Sequence, residues 1–583
     1  MKGREGSLLW KTNMDQWLEQ LPRDDFFREE LLENQHDVKF LEDCFYKDLE
    51  FGTGGMRGEI GPGTNRMNIY TVRKAAKGLA QFIVEQGKEA MERGVVIAYD
   101  SRRMSPEFAL EVAKTVGTYG VKAYIFKELQ PTPLLSFAVR YLQAFAGVVI
   151  TASHNPPEYN GFKVYGEDGA QLPPNAADKI IIYIRESGSE LVKNVTNEED
   201  LLRKGLLTYV GDIVEKAYLD ALTSIQLNRD ITKDLSIVFT PLHGTANKLV
   251  RAGLTAFGFE NIKVVKEQEL PDSDFSTVSL PNPEEHAAFE MAIRYGEEIQ
   301  ADILMATDPD ADRLGVAVRN HTGEFTVLTG NQMGALLLHY LLMQKRNNGD
   351  LPSNGILIKT IVTSELGRAI ASDFGIQTLD TLTGFKFIAE KIQEFENTGA
   401  YTFLFGYEES YGYLMSSFVR DKDAVQSAVL AAEVAAYYKA QNKSLYDGLM
   451  ELYEEYGYYS ESQRSITLKG KDGSEQIIQV LEEFRNTPPT IINGLQIVEV
   501  EDYKSSESNN ILTGKKVPIK LPKSNVLKYK LEDDSWFCVR PSGTEPKCKF
   551  YFAVKDETLD GSREKLIGME REVMKRVNSI IKN

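Results

Sequence analysis

Cysteine is nearly missing from this chain of 583 residues: Cys44, Cys538 and Cys548 are the whole supply. Their spacing suits neither a disulfide framework nor a thiolate metal site, which fits a reducing compartment. Positive charge is also in deficit, with 67 Lys and Arg against 85 Asp and Glu, leaving a net charge of -18. Such a field repels DNA, RNA and anionic membranes, so an anionic ligand has to be small and held by a local basic pocket. No apolar run approaches the roughly 18 residues of a membrane span, and the opening MKGREGSLLWKTNMDQ lacks the apolar core of a signal peptide. The expectation is a cytoplasmic protein without nucleic-acid or membrane partners. Low-complexity tracts and close letter-for-letter repeats are lacking too.

What is present is ordinary globular material, 42% hydrophobic and 26% charged, in a length that at roughly 150 residues per domain suggests about four domains. The stretch to about Leu49 has helical spacing, and the Gly-rich FGTGGMRGEIGPGTNRMN at 51–68 reads as a loop. Beyond it, strands and helices alternate: VVIAYD, VKAYIF and GVVIT, then SIVFTPL, NIKVV and ADILMATD, then ILIKTIV, QTLDTLT and YTFLFGY. That rhythm predicts three α/β units, each with a largely parallel sheet covered by helices. From about Tyr459 the pattern changes to strand, helix, several strands and a last helix at 562–581, an α+β domain. The expected division is 1–208, 209–325, 326–458 and 459–583.

Ligands of open α/β sheets bind at the carboxyl ends of strands, so the loops there carry the functional signal. After GVVIT comes TASHNPPEYNGFKVY, with Ser153 and His154 in a loop stiffened by two prolines and followed by Lys163. Ser153 is either a nucleophile or the side chain that closes an Asn-Pro turn. A G-x-S-x-G elbow is absent, so phosphoryl chemistry competes better than a hydrolase triad. After ADILMAT comes DPDADRLG, which places Asp308, Asp310 and Asp312 at alternate positions. Three converging carboxylates need a cation, and hard oxygen ligands select Mg²⁺ or Ca²⁺ over zinc. An EF-hand does not fit, because Arg313 and Arg319 stand where its glycine and its bidentate glutamate belong. GYEESYG at 406–412 offers Glu408 and Ser410 to sugar hydroxyls, and RDKDA at 420–424 places Lys422 between two aspartates as a salt-bridged surface residue or an acid/base group. In RPSGTEPK, Arg540, Ser542, Gly543 and Thr544 have the composition of a phosphate cradle, or of an ordinary hairpin turn. The segment at 52–58 holds Arg57 but lacks the G-K-[ST] ending of a P-loop.

A serine loop, a triple-Asp loop, a Glu-x-Ser loop and an Arg-Pro-Ser-Gly-Thr loop, in this order over nearly the whole chain, resemble the α-D-phosphohexomutase superfamily. Within it the chain is similar to the branch of phosphoglucomutases related to phosphopentomutase and glucose-1,6-bisphosphate synthase. The resemblance implies an α/β fold of four domains, three similar mixed α/β sheet domains and a C-terminal α+β domain, around a central cleft. It implies a mutase that interconverts glucose 1-phosphate and glucose 6-phosphate through a phosphoserine and a glucose 1,6-bisphosphate intermediate, or else a phosphopentomutase or a bisphosphate synthase. By the same resemblance Ser153 is the phosphorylated serine, and Asp308, Asp310 and Asp312 hold one Mg²⁺ with a phosphoserine oxygen. Arg57, Arg313 and His154 line the transfer site, Thr383 and Gly384 support the sugar loop, Glu408 and Ser410 grip the sugar, and Arg540, Ser542, Gly543 and Thr544 bind the non-reacting phosphate. Lys163 and Lys422 both suit the acid/base role. Glucose 1,6-bisphosphate is the implied activator, sugar phosphates are the implied partners, and the chain is expected to be a monomer or weak dimer. Tyr407 departs from the Gly found before the Glu in many hexomutases, and its ring is expected to be able to fill space left by a smaller sugar.

Overall fold

The computed structural model describes residues 2–52, 54–468, 470–541 and 547–582. The chain forms two compact units, one of Met1–Gly330, Ile388–Gly406 and Ser410–Ser444, the other of Asn331–Phe387, Tyr407–Glu409 and Leu445–Asn583.

The first unit begins with helices α1 (Lys2–Gln20), α2 (Phe26–Glu33) and α3 (Val38–Phe45), whose Trp17, Phe27, Leu31 and Phe45 pack into a small core with Tyr70. Six strands follow: β1 (Gly55–Glu59), β2 (Val95–Tyr99), β3 (Ala123–Phe126), β4 (Ala146–Ile150), β5 (Tyr159–Tyr165) and β6 (Leu207–Val210). They form one sheet in the order β1-β5-β4-β2-β3-β6. β2 and β4 are buried along their whole length, as expected for strands covered on both faces. The helix Ile69–Glu85, which packs into the same core, is started by Asn68, whose side chain accepts from the Tyr70 and Thr71 amides while its amide nitrogen donates to the Gly61 and Gly63 carbonyls. One side chain therefore caps the helix and ties down the glycine-rich approach to it.

A second sheet, in the order β11-β10-β9-β7-β8, contains β7 (Ile237–Thr240), β8 (Ile262–Val264), β9 (Ile303–Thr307), β10 (Leu314–Arg319) and β11 (Phe325–Leu328). A third, in the order β13-β12-β14-β15, contains β12 (Gly355–Thr360), β13 (Gln377–Thr381), β14 (Thr402–Glu408) and β15 (Gly412–Leu414). In the second unit β16 (Tyr458–Thr467), β17 (Ile491–Ile492), β18 (Leu495–Asp502), β19 (Glu507–Asn510), β20 (Lys516–Pro518), β21 (Leu527–Leu531), β22 (Trp536–Pro541) and β23 (Lys547–Asp556) build an antiparallel sheet. The helices Gly470–Asn486 and Leu559–Lys582 supply its apolar cover through Val480, Phe484, Met569 and Val573.

The sheets are mixed, as the resemblance implies, and the parallel rhythm holds only in part: β2, β3, β4 and β6 run parallel, but β5 returns antiparallel to β4, and β10 returns antiparallel to β9. The loops 151–158 and 308–313 are too short for a crossover, so the chain has to come back as a hairpin. The glycine-rich segment is not all loop either, because β1 pairs with β5 from Gly55 opposite Lys163 to Glu59 opposite Tyr159. Glycine is needed there for packing, since a Cβ on Gly55 would lie 2.3 Å from the Phe162 carbonyl oxygen.

The second unit buries an acid with a pH consequence. Glu461 accepts from the Ser364 hydroxyl, yet burial pushes its carboxyl up to about 7. The folded unit then holds a proton that the unfolded chain releases near the usual carboxylate value of 4.5. Stability from this group is therefore fully present below 4.5 and is lost as pH rises through about 7, a loss on the order of 3 kcal/mol. Glu461→Gln should flatten the pH dependence of urea unfolding across this range; wild-type and variant slopes that coincide would contradict the assignment.

Candidate active site

β4 delivers Ser153 and β9 delivers the acidic loop, and both loops belong to the first unit. Ser153 is buried and has a left-handed φ of +54°, a conformation that costs a non-glycine residue about 1 kcal/mol or more and persists only when it is held. Its amide donates to Thr151 Oγ1 at 2.8 Å, and its hydroxyl donates to Asp308 Oδ2 at 2.8 Å. His154 Nδ1 lies 3.3 Å from the same hydroxyl. Burial holds the imidazole well below its usual range, and the charges of Arg313 and Arg57 push it further down, so it is neutral. The Ser153 hydroxyl thus faces a carboxylate and an uncharged ring.

The acidic loop is fixed from three directions. Thr245 donates to the Pro309 carbonyl through its amide at 2.8 Å and its hydroxyl at 2.9 Å, the Thr132 amide donates to Asp310 O at 2.8 Å, and the Ala424 amide donates to Ala311 O at 3.1 Å. Ala311 is itself left-handed at φ +56°. Asp308 Oδ1 accepts from the Asp312 and Arg313 amides at 3.1 and 3.0 Å. With the backbone turned outward to these partners, the three carboxylates turn inward, and one oxygen of each lies within 4.8 Å of the others. Burial, followed by the charges of Asp310 and Asp312, pushes Asp308 well above the usual carboxylate range. Burial also opposes the charge of Asp310, but Lys163 and the hydrogen bond with Asp308 outweigh it and hold this carboxyl well below that range. Asp310 Oδ1 and Asp312 Oδ1 are buried without a hydrogen-bond partner among the described residues. Orphaned hard oxygens at the centre of three converging carboxylates fit a divalent cation.

Basic groups surround this centre. Lys163 Nζ lies 2.9 Å from Asp310 Oδ2, and Lys422 Nζ lies 3.2 Å from Asp312 Oδ2 and 3.3 Å from Asp421 Oδ1. Both lysines reach the acidic loop; Lys422 is salt-bridged, but with its side chain 12% exposed it is not the surface residue of the alternative reading. Arg57 donates to Asn155 Oδ1 at 3.0 Å, and Arg313 is paired with Glu284. Asp423 caps the helix Ala424–Lys439, and the Tyr218 hydroxyl donates to it, which fixes the turn that carries Lys422.

In the second unit Glu408 ends β14, and its Oε1 accepts from the Gly384 amide at 2.9 Å. Gly384 has φ +117°, left-handed backbone that favours glycine, and Thr383 precedes it in the same bend. Arg540 is half-buried near the end of β22, with Nη1 3.5 Å from the Tyr551 hydroxyl. Ser542, Gly543 and Thr544 lie outside the described residues. Ser410 is in the turn after β14, within the first unit. The expectation for Tyr407 is corrected. Alternation along β14 puts it on the face opposite Glu408, and its fully buried ring lies where a Cβ on Gly334 or Gly367 would come within 2.4 or 2.3 Å of it. It packs into the second unit and is no filler for a sugar site.

Sequence reading missed Thr132, Thr245 and Glu284. The signal available for Thr245 was PLHGT at the end of β7, another strand-end loop, where Gly244 lets Pro309 approach to 2.5 Å of a would-be Cβ.

A buried serine set against three carboxylates that fit a divalent cation, ringed by lysine and arginine at strand ends of mixed α/β sheets, has the donor set that a phosphoryl-transfer enzyme needs. The chain matches Phosphoglucomutase/phosphomannomutase alpha/beta/alpha domain I over residues 48–190, domain II over 216–323, domain III over 329–456 and the C-terminal domain over 496–562. It is 38% identical over 522 residues to the phosphoglucomutase of Staphylococcus haemolyticus (strain JCSC1435), covering 89% of this chain and 93% of that protein. It is also 38% identical to the phosphoglucomutase of Staphylococcus aureus (strain USA300) over 555 residues, 95% and 97% of the two. Its fold matches the open form of the exocytosis-sensitive phosphoprotein parafusin, a phosphoglucomutase from Paramecium, with a TM-score of 0.66 at 16% identity over 92% of this chain and 95% of that one. The chain belongs to the phosphoglucomutase/phosphomannomutase family.

A cation that binds only the folded acidic loop stabilises it by mass action, about 2.7 kcal/mol at a hundredfold excess over Kd. Titration with MgCl2 should therefore raise the thermal unfolding midpoint of the wild type, and Asp310→Asn should blunt the rise. Equal shifts in both proteins would place the cation elsewhere.

Proposed function

We propose that this chain interconverts glucose 1-phosphate and glucose 6-phosphate, with Ser153 as the phosphoryl carrier. The observation that carries the reading is the Ser153 hydroxyl directed at Asp308 Oδ2, 2.8 Å away. The names of the relatives at 38% identity support the substrate. Mg²⁺ fits the donor set, and Asp308, Asp310, Asp312 and a phosphoserine oxygen would hold it; bound there it would neutralise charge on the transferring oxygens.

Phosphorylated Ser153 gives its phosphoryl group to the free hydroxyl of a bound sugar monophosphate. The P–Oγ bond breaks as the new P–O bond forms, and the hydroxyl proton passes to the base, Lys163 or Lys422, once that lysine has given up its own ammonium proton to solvent. The resulting glucose 1,6-bisphosphate turns over and returns its other phosphoryl group to Ser153, and the same compound serves as activator by phosphorylating the resting serine. Arg57, Arg313 and the neutral His154 line the transferring group, where fixed donors lower the barrier most. Glu408, with Ser410, Thr383 and Gly384, is assigned to the sugar hydroxyls, and Arg540 with Ser542, Gly543 and Thr544 to the non-reacting phosphate. The protein is read as a cytoplasmic monomer or weak dimer with sugar phosphates as its partners. The division into 1–208, 209–325, 326–458 and 459–583 belongs to the same reading. Among the described residues, no helix is long and apolar enough to cross a membrane.

Ser153→Ala should abolish turnover while the chain still folds, at a stability cost limited to the one hydrogen bond to Asp308, roughly 1 to 3 kcal/mol. Sugar choice is read from kcat/KM for glucose 1-phosphate and ribose 1-phosphate, each with its matching bisphosphate. A ribofuranose phosphate has no free C4 hydroxyl to pair with Glu408, so glucose should lead by about tenfold to hundredfold. A lead for ribose would make this a phosphopentomutase.

A further inference from the structure

Arg102 lies next to the serine loop with its side chain 0% exposed, and neither the acidic loop nor the ring of basic groups uses it. Its guanidinium directs its donors at the backbone of a single segment. Nη1 donates to the carbonyls of Pro156 at 2.7 Å and Tyr159 at 3.0 Å, and Nη2 donates to those of Ser153 at 2.6 Å and Asn155. Nε lies 3.3 Å from Asp100 Oδ2, and the guanidinium sits 5.0 Å from the centre of the Phe275 ring. Asp100 in turn accepts from the Arg102 amide at 3.0 Å and the Ser105 hydroxyl at 2.8 Å.

Four carbonyl dipoles converging in a buried space repel unless several donors sit among them. Arginine meets that need with a planar fork of five N–H groups, whereas lysine brings a point charge with three. At Ser153 the result is local and strong: its carbonyl is taken by Arg102 and its amide by Thr151. With both backbone groups committed, the left-handed φ is fixed, and with it the direction of Oγ toward Asp308.

We propose that Arg102 is the positioning residue of the phosphoryl-carrying loop, aiming Ser153 through four main-chain contacts without touching sugar or phosphate. The inference rests on Ser153 carrying the phosphoryl group. Its mark is a selective loss of transfer rate, because the residues assigned to the sugar and the distal phosphate are untouched. Displacement of a reacting atom by about 1 Å costs on the order of a hundredfold in rate.

The test compares wild type, Arg102→Lys and Asp100→Asn after phosphorylation with glucose 1,6-bisphosphate. Three readouts are taken: the single-turnover rate of transfer to glucose 1-phosphate, the steady-state KM, and the unfolding midpoint. Arg102→Lys keeps a charge opposite Asp100 but not the fork, so its transfer rate should fall by about tenfold to hundredfold, with KM within about twofold. Asp100→Asn leaves the four carbonyl contacts and should lose unfolding temperature more than rate. If Arg102→Lys does not accumulate folded, Arg102→Gln is read by the same criteria. A folded variant at Arg102 that transfers at the wild-type rate overturns the inference, as does a loss of rate that merely follows stability in both variants. Wild-type protein that carries no phosphate on Ser153 overturns the underlying reading as well, so the two failures are told apart.

Discussion

Three consecutive carbonyls, those of Pro309, Asp310 and Ala311, are captured by amides from three distant segments at Thr245, Thr132 and Ala424. The active centre depends on this capture, because it turns the backbone of the acidic loop outward and leaves its carboxylates no direction but inward. Two unit charges no more than 4.8 Å apart at an effective dielectric near 20 repel by roughly 3 kcal/mol or more. A hydrogen bond contributes a net of about 1 kcal/mol, so the backbone contacts set the geometry but do not balance the repulsion. Lys163 and Lys422, each ion-paired with one aspartate of the loop, take part of the load, and the remaining orphaned oxygens account for the fit to a cation.

Topology explains why the loops that matter are hairpins. In the first sheet β4 leads into the serine loop and returns as β5; in the second β9 leads into the acidic loop and returns as β10. The two sheets place these pairs identically, beside β2 in one and β7 in the other. A hairpin at the end of a buried strand keeps a short loop on rigid supports, which is what transfer over a few ångströms demands. The second unit follows the same logic, with Glu408 at the end of β14 braced by Gly384 and Arg540 near the end of β22.

TASHNPPEYNGFK and DPDADR were legible in the sequence because their chemistry resides in side-chain types. The strand and helix rhythm was legible for the same reason, through runs such as VVIAY that are buried throughout. Contacts in which a backbone amide captures a carbonyl carry no residue signature, so the roles of Thr132 and Ala424 were hidden. Arg102 was hidden differently, since a lone arginine after a strand reads as surface until its four carbonyl partners are seen. The strand at 55–59 was obscured by its glycines, which serve close approach rather than looseness. Tyr407 could be judged only once its neighbours were known, because period-two alternation does not say which face holds the sugar.

The central claim is that Ser153 carries the phosphoryl group that enters the product. Enzyme labelled with radioactive phosphate on Ser153, mixed with unlabelled glucose 1-phosphate for a single turnover, tests it most directly. The account predicts that the label leaves Ser153 and appears in glucose 6-phosphate or its bisphosphate precursor, while the serine regains an unlabelled phosphoryl group. Label that stays on the protein during turnover, or leaves only as inorganic phosphate, would contradict it.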